Sequence, residues 1–227
     1  MNANKYVNKI KIINPDYIFV AGWSGLLNSE LITIPKEGTI GFHPSKLPQN
    51  KGRSVLAWQI EEGYKDTALT MFYYNDVPDC GDIIAQEKIF IEDNDYLADV
   101  MNKIDNATYN LMRAYFPLIR KGINPRKPQN INDGNFRRLR TDKDSKIDWD
   151  KNANVIYNQI RAISKPYPGA YFNYENKKIR IWKSEIIDFN FIDNKFHLSS
   201  PGTIINKGVN YFIIKCRDKF IKAITDD

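Results

Sequence analysis

Two segments of this chain carry residues with acid–base potential. The first is Gly41-Phe-His-Pro-Ser-Lys-Leu-Pro-Gln-Asn-Lys-Gly-Arg53, which holds His43. The second is Asp76-Val-Pro-Asp-Cys-Gly-Asp82, which holds Asp79. Only His43 and His197 supply imidazoles, so a reaction needing a side chain that titrates near neutrality has little choice. Alone, a histidine between a proline turn and a small hydroxyl is an ordinary turn residue, and an Asp in an Asn/Asp/Pro/Gly loop is an ordinary cap. Together they read differently, because a carboxylate beside an imidazole fixes its tautomer and stabilises its protonated form. Ser45 offers a hydroxyl that either holds the loop or binds a water. Lys51 and Arg53 are placed to meet a phosphate, or are simply solvated.

The surrounding elements must bring these loops together. Residues 4–13 read as a short helix stopped by Asn14-Pro15. A buried strand follows over 16–22, then a turn through Trp23 to Leu27. Residues 39–42 form a second strand with His43 at its carboxyl end, where reactive groups gather in open α/β sheets. Residues 55–62 suit a helix, 68–74 and 83–91 suit strands, and 75–82 is a loop. A strand–helix–strand unit would return Asp79 to the same sheet edge, although 36 residues (79 minus 43) separate it from His43. Residues 95–119 form a long amphipathic helix. The polar stretch 122–141, with Pro125 and Pro128, reads as a linker. A helix over 149–163 and a rigid turn at 165–170 then open a second part. Its β-like runs at 170–174, 178–187, 195–198, 202–205, 211–216 and 220–224 suggest a small antiparallel barrel or sheet.

The chain's 227 residues allow one large domain, or a main domain with an appendage. No apolar run approaches the roughly 20 residues of a membrane span, and the first residues lack a signal-peptide core. Cys80 and Cys216 lack metal-ligand spacing, which points to a reducing, cytoplasmic setting. A net charge of +6 accommodates an anionic partner such as a nucleotide, a folate tail or RNA. No basic stripe interleaved with aromatics singles out nucleic acid.

His43-Pro-Ser-Lys-Leu-Pro48, Lys51-Gly52, Gly63, Thr70 and Asp79-Cys-Gly-Asp82 resemble, in order and spacing, the formyltransferases that use 10-formyltetrahydrofolate. That family carries a His-x-Ser-Leu-Leu-Pro loop, then Arg-Gly, then an Asp-x-Gly-Asp loop. Ile147-Asp-Trp149, Arg161-Ala162, Pro166-Tyr-Pro-Gly-Ala170 and Ile181-Trp-Lys183 are similar to the C-terminal domain of methionyl-tRNA and sugar-nucleotide formyltransferases. The resemblance implies an α/β, Rossmann-like catalytic core over 1–125, short at its N-terminus relative to the family. It implies a linker over 126–145 and a small OB-like, β-rich domain over 146–227. It makes His43 the base or electrostatic partner, Asp79 the group that orients it, and Ser45 an accessory catalytic residue. It places Trp23, Ser24, Leu26, Leu27, Asp76, Val77 and Asp79 around the pteridine of the folate, although core packing would also account for Trp23, Leu26 and Leu27. Lys51 and Arg53 would meet the acceptor.

One position departs from the family. Its pattern is Asn-x-His, the Asn donating to the formyl oxygen; here that residue is Gly41. Loss of one such donor costs about 10²–10³ in rate, unless Asn50, Asn75 or a backbone N–H replaces it. Gly41-Phe-His and Gly22-Trp-Ser24 look more like the sugar branch, so the expected acceptor is a nucleotide-linked amino sugar. The second reading is a methionyl-tRNA formyltransferase acting on initiator tRNA. The third is a catalytically impaired folate- or nucleotide-binding remnant. A homodimer is left open, and no membrane partner is expected.

Overall fold

A computed structural model describes residues 3–23 and 25–225. The chain divides into two compact units. One takes the residues up to Val55 together with Asp66–Phe90 and Asn102–Leu139; the other takes Leu56–Lys65, Ile91–Met101 and the residues from Arg140 on.

In the first unit, α1 (Val7–Ile13) ends where Asn14 turns left-handed at φ 50° and donates its N–H to the Ile10 carbonyl. This is a stop that an Asn tolerates well. Strands β1 (Tyr17–Val20), β2 (Gly38–His43), β4 (Asp66–Tyr73) and β5 (Ile83–Phe90) form a sheet in the order β1-β2-β4-β5. A short helix, α2 (Ser29–Ile32), lies between β1 and β2, capped by the Asn28 side chain. Only β1 and β2 run parallel; β4 is antiparallel to both β2 and β5. The parallel strand–helix–strand return expected between β2 and β4 is therefore not made. Alternating hydrophobicity reveals a strand but not the direction in which it pairs.

Period-2 alternation divides the two faces of this sheet. Ile40, Leu69, Met71, Tyr73, Ile84 and Ile89 pack with Ala107, Leu111 and Ile119 of α4 (Leu97–Ile119). Residues 97–101 of that helix belong to the second unit. The opposite face carries Phe72 with Leu47 and Ile83, and Tyr74 packs against them. Cross-strand partners share a face, and Gly41 pairs with Phe72 and His43 with Thr70. Gly41 and His43 thus lie on this second, less apolar face.

The polar stretch that reads as a linker is not one along its whole length. Lys127 bridges to Ile83 by both backbone groups. Strand β6 (Phe136–Arg137) pairs in parallel with β3 (Lys51–Gly52), just after the His43 loop.

In the second unit, α3 (Val55–Glu61, with Val55 in the first) precedes α5 (Ala153–Ala162). Strands β7 (Ala170–Tyr174) and β8 (Lys177–Ile181) form a hairpin. Its turn residues Glu175 and Asn176 both have positive φ, as a two-residue hairpin turn demands. Strands β9 (Lys183–Ile187), β10 (Ile204–Lys207), β11 (Tyr211–Lys215) and β12 (Phe220–Ile224) form an antiparallel sheet in the order β10-β11-β12-β9. The run 195–198 is not a strand. The Asp193 side chain accepts the Lys195 N–H and starts a 3₁₀ turn over Asn194–Phe196. Trp149, Phe172 and Phe212 stack edge-to-face in the core. Arg161, buried, donates to the Glu92 and Asp95 carbonyls. Cys80 and Cys216 are buried and unbridged. Among the described residues, no helix is long and apolar enough to cross a membrane.

Candidate active site

The loop after β2 is built on buried hydrogen bonds. Ser45 Oγ donates to the Gln49 carbonyl at 2.7 Å and closes the turn. Thr70 Oγ1 donates to the Ser45 carbonyl at 2.6 Å and accepts from Leu47 N–H at 3.2 Å. Gln86 reaches across from β5 to Thr70 Oγ1 and to the Leu47 carbonyl. Ser45 has no exposed surface. Its hydroxyl holds the loop, so it is a positioning residue rather than one that meets reactants.

His43 is 6% exposed at the end of β2. Its Nε2 lies 2.7 Å from the Asn50 carbonyl. A carbonyl only accepts, so Nε2 carries the proton. Nδ1 faces Asp79 Oδ1 at 3.5 Å. This differs from a simple catalytic triad, in which the carboxylate takes Nδ1–H and leaves Nε2 free. The other carboxylate oxygen of Asp79 accepts the Gly52 N–H at 2.7 Å. Asp79 comes from the β4–β5 loop rather than from a common sheet edge. The loop turns back on itself, with Asp79 left-handed at φ 59°. Gln129 holds it there by donating to the Asp79 and Gly81 carbonyls. Asn50 and Ser54 are also left-handed, so backbone strain gathers around this one loop pair.

Lys51 is not available to an acceptor phosphate. It has no exposure, and its ammonium donates to the Asp133 carbonyl at 2.8 Å and the Ile131 carbonyl at 3.2 Å, beside the Phe136 ring. The two-residue strand β3 turns this side chain inward. Asn50 is likewise engaged: its Oδ1 accepts from Arg137 Nε at 2.7 Å, and its N–H donates to Asn135 Oδ1. Arg53 remains exposed. Residues 129–137 thus brace the His43 loop, a role with no signal in a polar, aperiodic sequence.

Because β1 and β2 are parallel, with Val20 level with Gly41, the segment from Gly22 leaves the sheet at the same edge as His43. There Trp23 is half-buried, and its indole N–H has no acceptor among the described residues. Leu26 is 74% exposed, which removes core packing as its explanation. Leu27 is half-buried, and Ser24 lies outside the described residues. Asp76 is exposed and Val77 half-buried, its N–H held by Asn75 Oδ1.

Tyr74 had no place in the reading of the sequence. A Cβ on Gly41 would fall 2.6 Å from its Cε2, 2.9 Å from its Cζ and 3.1 Å from its hydroxyl. The Tyr74 ring therefore occupies the space of a side chain at position 41. Burial, and next the negative charge of Asp79, push its phenol up to about 12.

Residues 1–115 match the formyl transferase family, and residues 140–225 match the formyl transferase C-terminal domain. Among solved structures, HypX from Aquifex aeolicus in complex with tetrahydrofolic acid aligns with a TM-score of 0.77 at 16% identity, over 96% of this chain. The chain spans only 36% of that HypX chain. The methionyl-tRNA formyltransferase from Clostridium thermocellum aligns with a TM-score of 0.69 at 23% identity, over 82% of this chain and 80% of the other. The N-formyltransferase from Helicobacter canadensis, in complex with folinic acid and dTDP-3-aminofucose, has a TM-score of 0.69 at 21% identity, over 92% and 73%. These structures share the fold: a Rossmann-like N-terminal domain followed by a β-rich C-terminal one. The chain belongs to the formyl transferase family.

Proposed function

From this membership, we propose that the chain transfers a formyl group from 10-formyltetrahydrofolate to the amine of a nucleotide-linked amino sugar. The observation that carries the reading is the buried His43–Asp79 pair at the carboxyl end of β2. Formyl transfer to an amine requires a proton to leave the attacking nitrogen. With Nε2–H committed to Asn50, the free lone pair of the ring is on Nδ1. A proton reaching Nδ1 is held between the ring and Asp79, and the Gly52 N–H keeps that carboxylate aimed.

The residues present fit a folate. The orphaned Trp23 indole N–H is a buried donor that a carbonyl or ring nitrogen of the pteridine would satisfy. Exposed Leu26 offers apolar surface beside it. The folate supplies an activated formyl group; the protein supplies orientation, proton transfer and charge stabilisation. The sugar branch is favoured by Gly41-Phe-His and Gly22-Trp-Ser24. With Lys51 turned inward, Lys46 and Arg53 are the exposed basic residues of the loop left to approach a diphosphate.

The test is formyl transfer from 10-formyltetrahydrofolate to a panel of amino-sugar nucleotides and to charged initiator tRNA. Turnover of an amino-sugar nucleotide is expected, with weak, salt-sensitive tRNA binding. A tRNA presents many phosphates, so productive binding would weaken steeply with salt. Efficient tRNA formylation without sugar turnover would move the acceptor to tRNA. Folate binding without transfer to either would leave the impaired remnant.

A further inference from the structure

Formyl transfer builds negative charge on the formyl oxygen, and a preorganised donor must meet it. Several donors around His43 are committed. Ser45 Oγ goes to Gln49, Thr70 Oγ1 to the Ser45 carbonyl, and Gly52 N–H to Asp79. Asn75 and Asn50 are held through their amide oxygens, which accept from the Val77 N–H and from Arg137 Nε; those bonds leave their Nδ2 groups as the rival donors. Among the described residues, the Tyr74 hydroxyl makes no hydrogen bond to the protein. Its ring stands over Gly41, two residues before His43 on the same face of β2, with its hydroxyl 3.1 Å from where a Cβ at position 41 would be.

Resting on the formyl-transfer reading, we propose that Tyr74 is a catalytic donor of this site: its phenol O–H donates to the formyl oxygen, and Gly41 is glycine so that the ring can stand there. The amine nitrogen's lone pair forms the new C–N bond while the carbonyl π pair moves onto the oxygen held by Tyr74. That pair then re-forms the carbonyl as the bond to N10 breaks. The amine proton leaves by way of His43, and N10 gains one. An amine plus an N10-formyl group thus gives a formamide plus an N10–H, with atoms and charge balanced. Tyr74 keeps its own proton throughout, which suits a phenol surrounded by low-dielectric protein and the Asp79 charge.

Tyr74→Phe keeps the ring and removes only the donor. Formyl transfer to the amine and hydrolytic loss of formyl to water are both measured, since the second needs no knowledge of the acceptor. Tetrahydrofolate binding is measured beside them. The expected result is a loss of about 10²–10³ in turnover for both reactions, with tetrahydrofolate affinity within threefold of wild type. Tyr74→Ala should be comparably slow, and adding Gly41→Asn to it should return at least about tenfold, because the amide then has both the space and the task. Tyr74→Phe within threefold of wild type, or no rescue by Gly41→Asn in a folded Tyr74→Ala protein, overturns the assignment of Tyr74 alone. A wild-type protein that neither binds tetrahydrofolate nor releases formyl overturns the formyl-transfer reading, and Tyr74's role with it.

Discussion

Asp79→Asn isolates the charge that the proposed mechanism needs. The substitution keeps the shape of the side chain, and its Oδ can still accept the Gly52 N–H. Asn is among the residues best tolerated in the left-handed conformation that Asp79 holds at φ 59°. Alanine there would confuse the issue, since it adds a backbone cost of about 1–2 kcal/mol to the loss of the carboxylate. At the observed Nδ1–Oδ1 separation of 3.5 Å, an effective dielectric of about 20 gives an attraction between imidazolium and carboxylate of about 5 kcal/mol. That is a ceiling, because the same carboxylate is already stabilised by the Gly52 N–H. A loss of about 3–4 kcal/mol in the transition state corresponds to roughly 10²–10³ in kcat.

The assay is steady-state formyl transfer on a protein whose folded fraction is set by its thermal transition, followed by appearance of tetrahydrofolate. Tetrahydrofolate affinity should change by less than about threefold. The pair should also act as a unit, so Asp79→Asn placed on His43→Ala should slow turnover little further. A folded Asp79→Asn protein with kcat within threefold of wild type would remove the charge from the mechanism. Full additivity with His43→Ala would show that the two residues do not share one proton.

Most of the strands and the long helix were legible because each rests on local signals. Thr39 to His43 and Ala68 to Tyr74 alternate, residues 95–119 repeat at helical spacing, and Asn14-Pro15 punctuates. Strand direction was not legible: β4 alternates in the same way whether it runs with β2 or against it, and pairing is set by partners distant in sequence. The run 195–198 misled because its β-prone residues sit just after Asp193, whose side chain starts a turn. His43 and Asp79 stood out by type and motif, and the structure places them 3.5 Å apart. Lys51 looked like a phosphate ligand because sequence does not say which way a two-residue strand points its side chain. Residues 129–137 carry no periodicity, and their bracing of the loop depends on individual carbonyls and amides. Gly41 read as a missing group. Its meaning lies in the ring of Tyr74, which its own alternation assigned to the strand and nothing more.

Lys51→Met should lower unfolding free energy by about 1–3 kcal/mol, because the Ile131 and Asp133 carbonyls lose a buried donor, while the KM for the amino-sugar nucleotide stays within twofold. A large rise in that KM at unchanged stability would return Lys51 to the acceptor site. The second expectation is a pH dependence carried by Tyr74. In the folded protein its phenol is pushed up to about 12, first by burial and then by the charge of Asp79, against an ordinary value near 10 when unfolded. Between those values the unfolded chain gives up this proton and the folded chain keeps it, so the unfolded state binds fewer protons and stability falls as pH rises. The loss begins near pH 10, is complete by about pH 12, and amounts to at most about 3 kcal/mol over the two units. Other tyrosines titrate in the same range, so the quantity to measure is the difference between wild type and Tyr74→Phe in denaturant unfolding across that window. The two should run parallel below pH 10 and converge above it if the hydroxyl stabilises the fold, or diverge if it does not; in either case the wild type must show the steeper fall. Equal slopes from pH 10 to 12 would mean that Tyr74 titrates as an exposed phenol, and a phenol so exposed would not be the protected donor that the site requires.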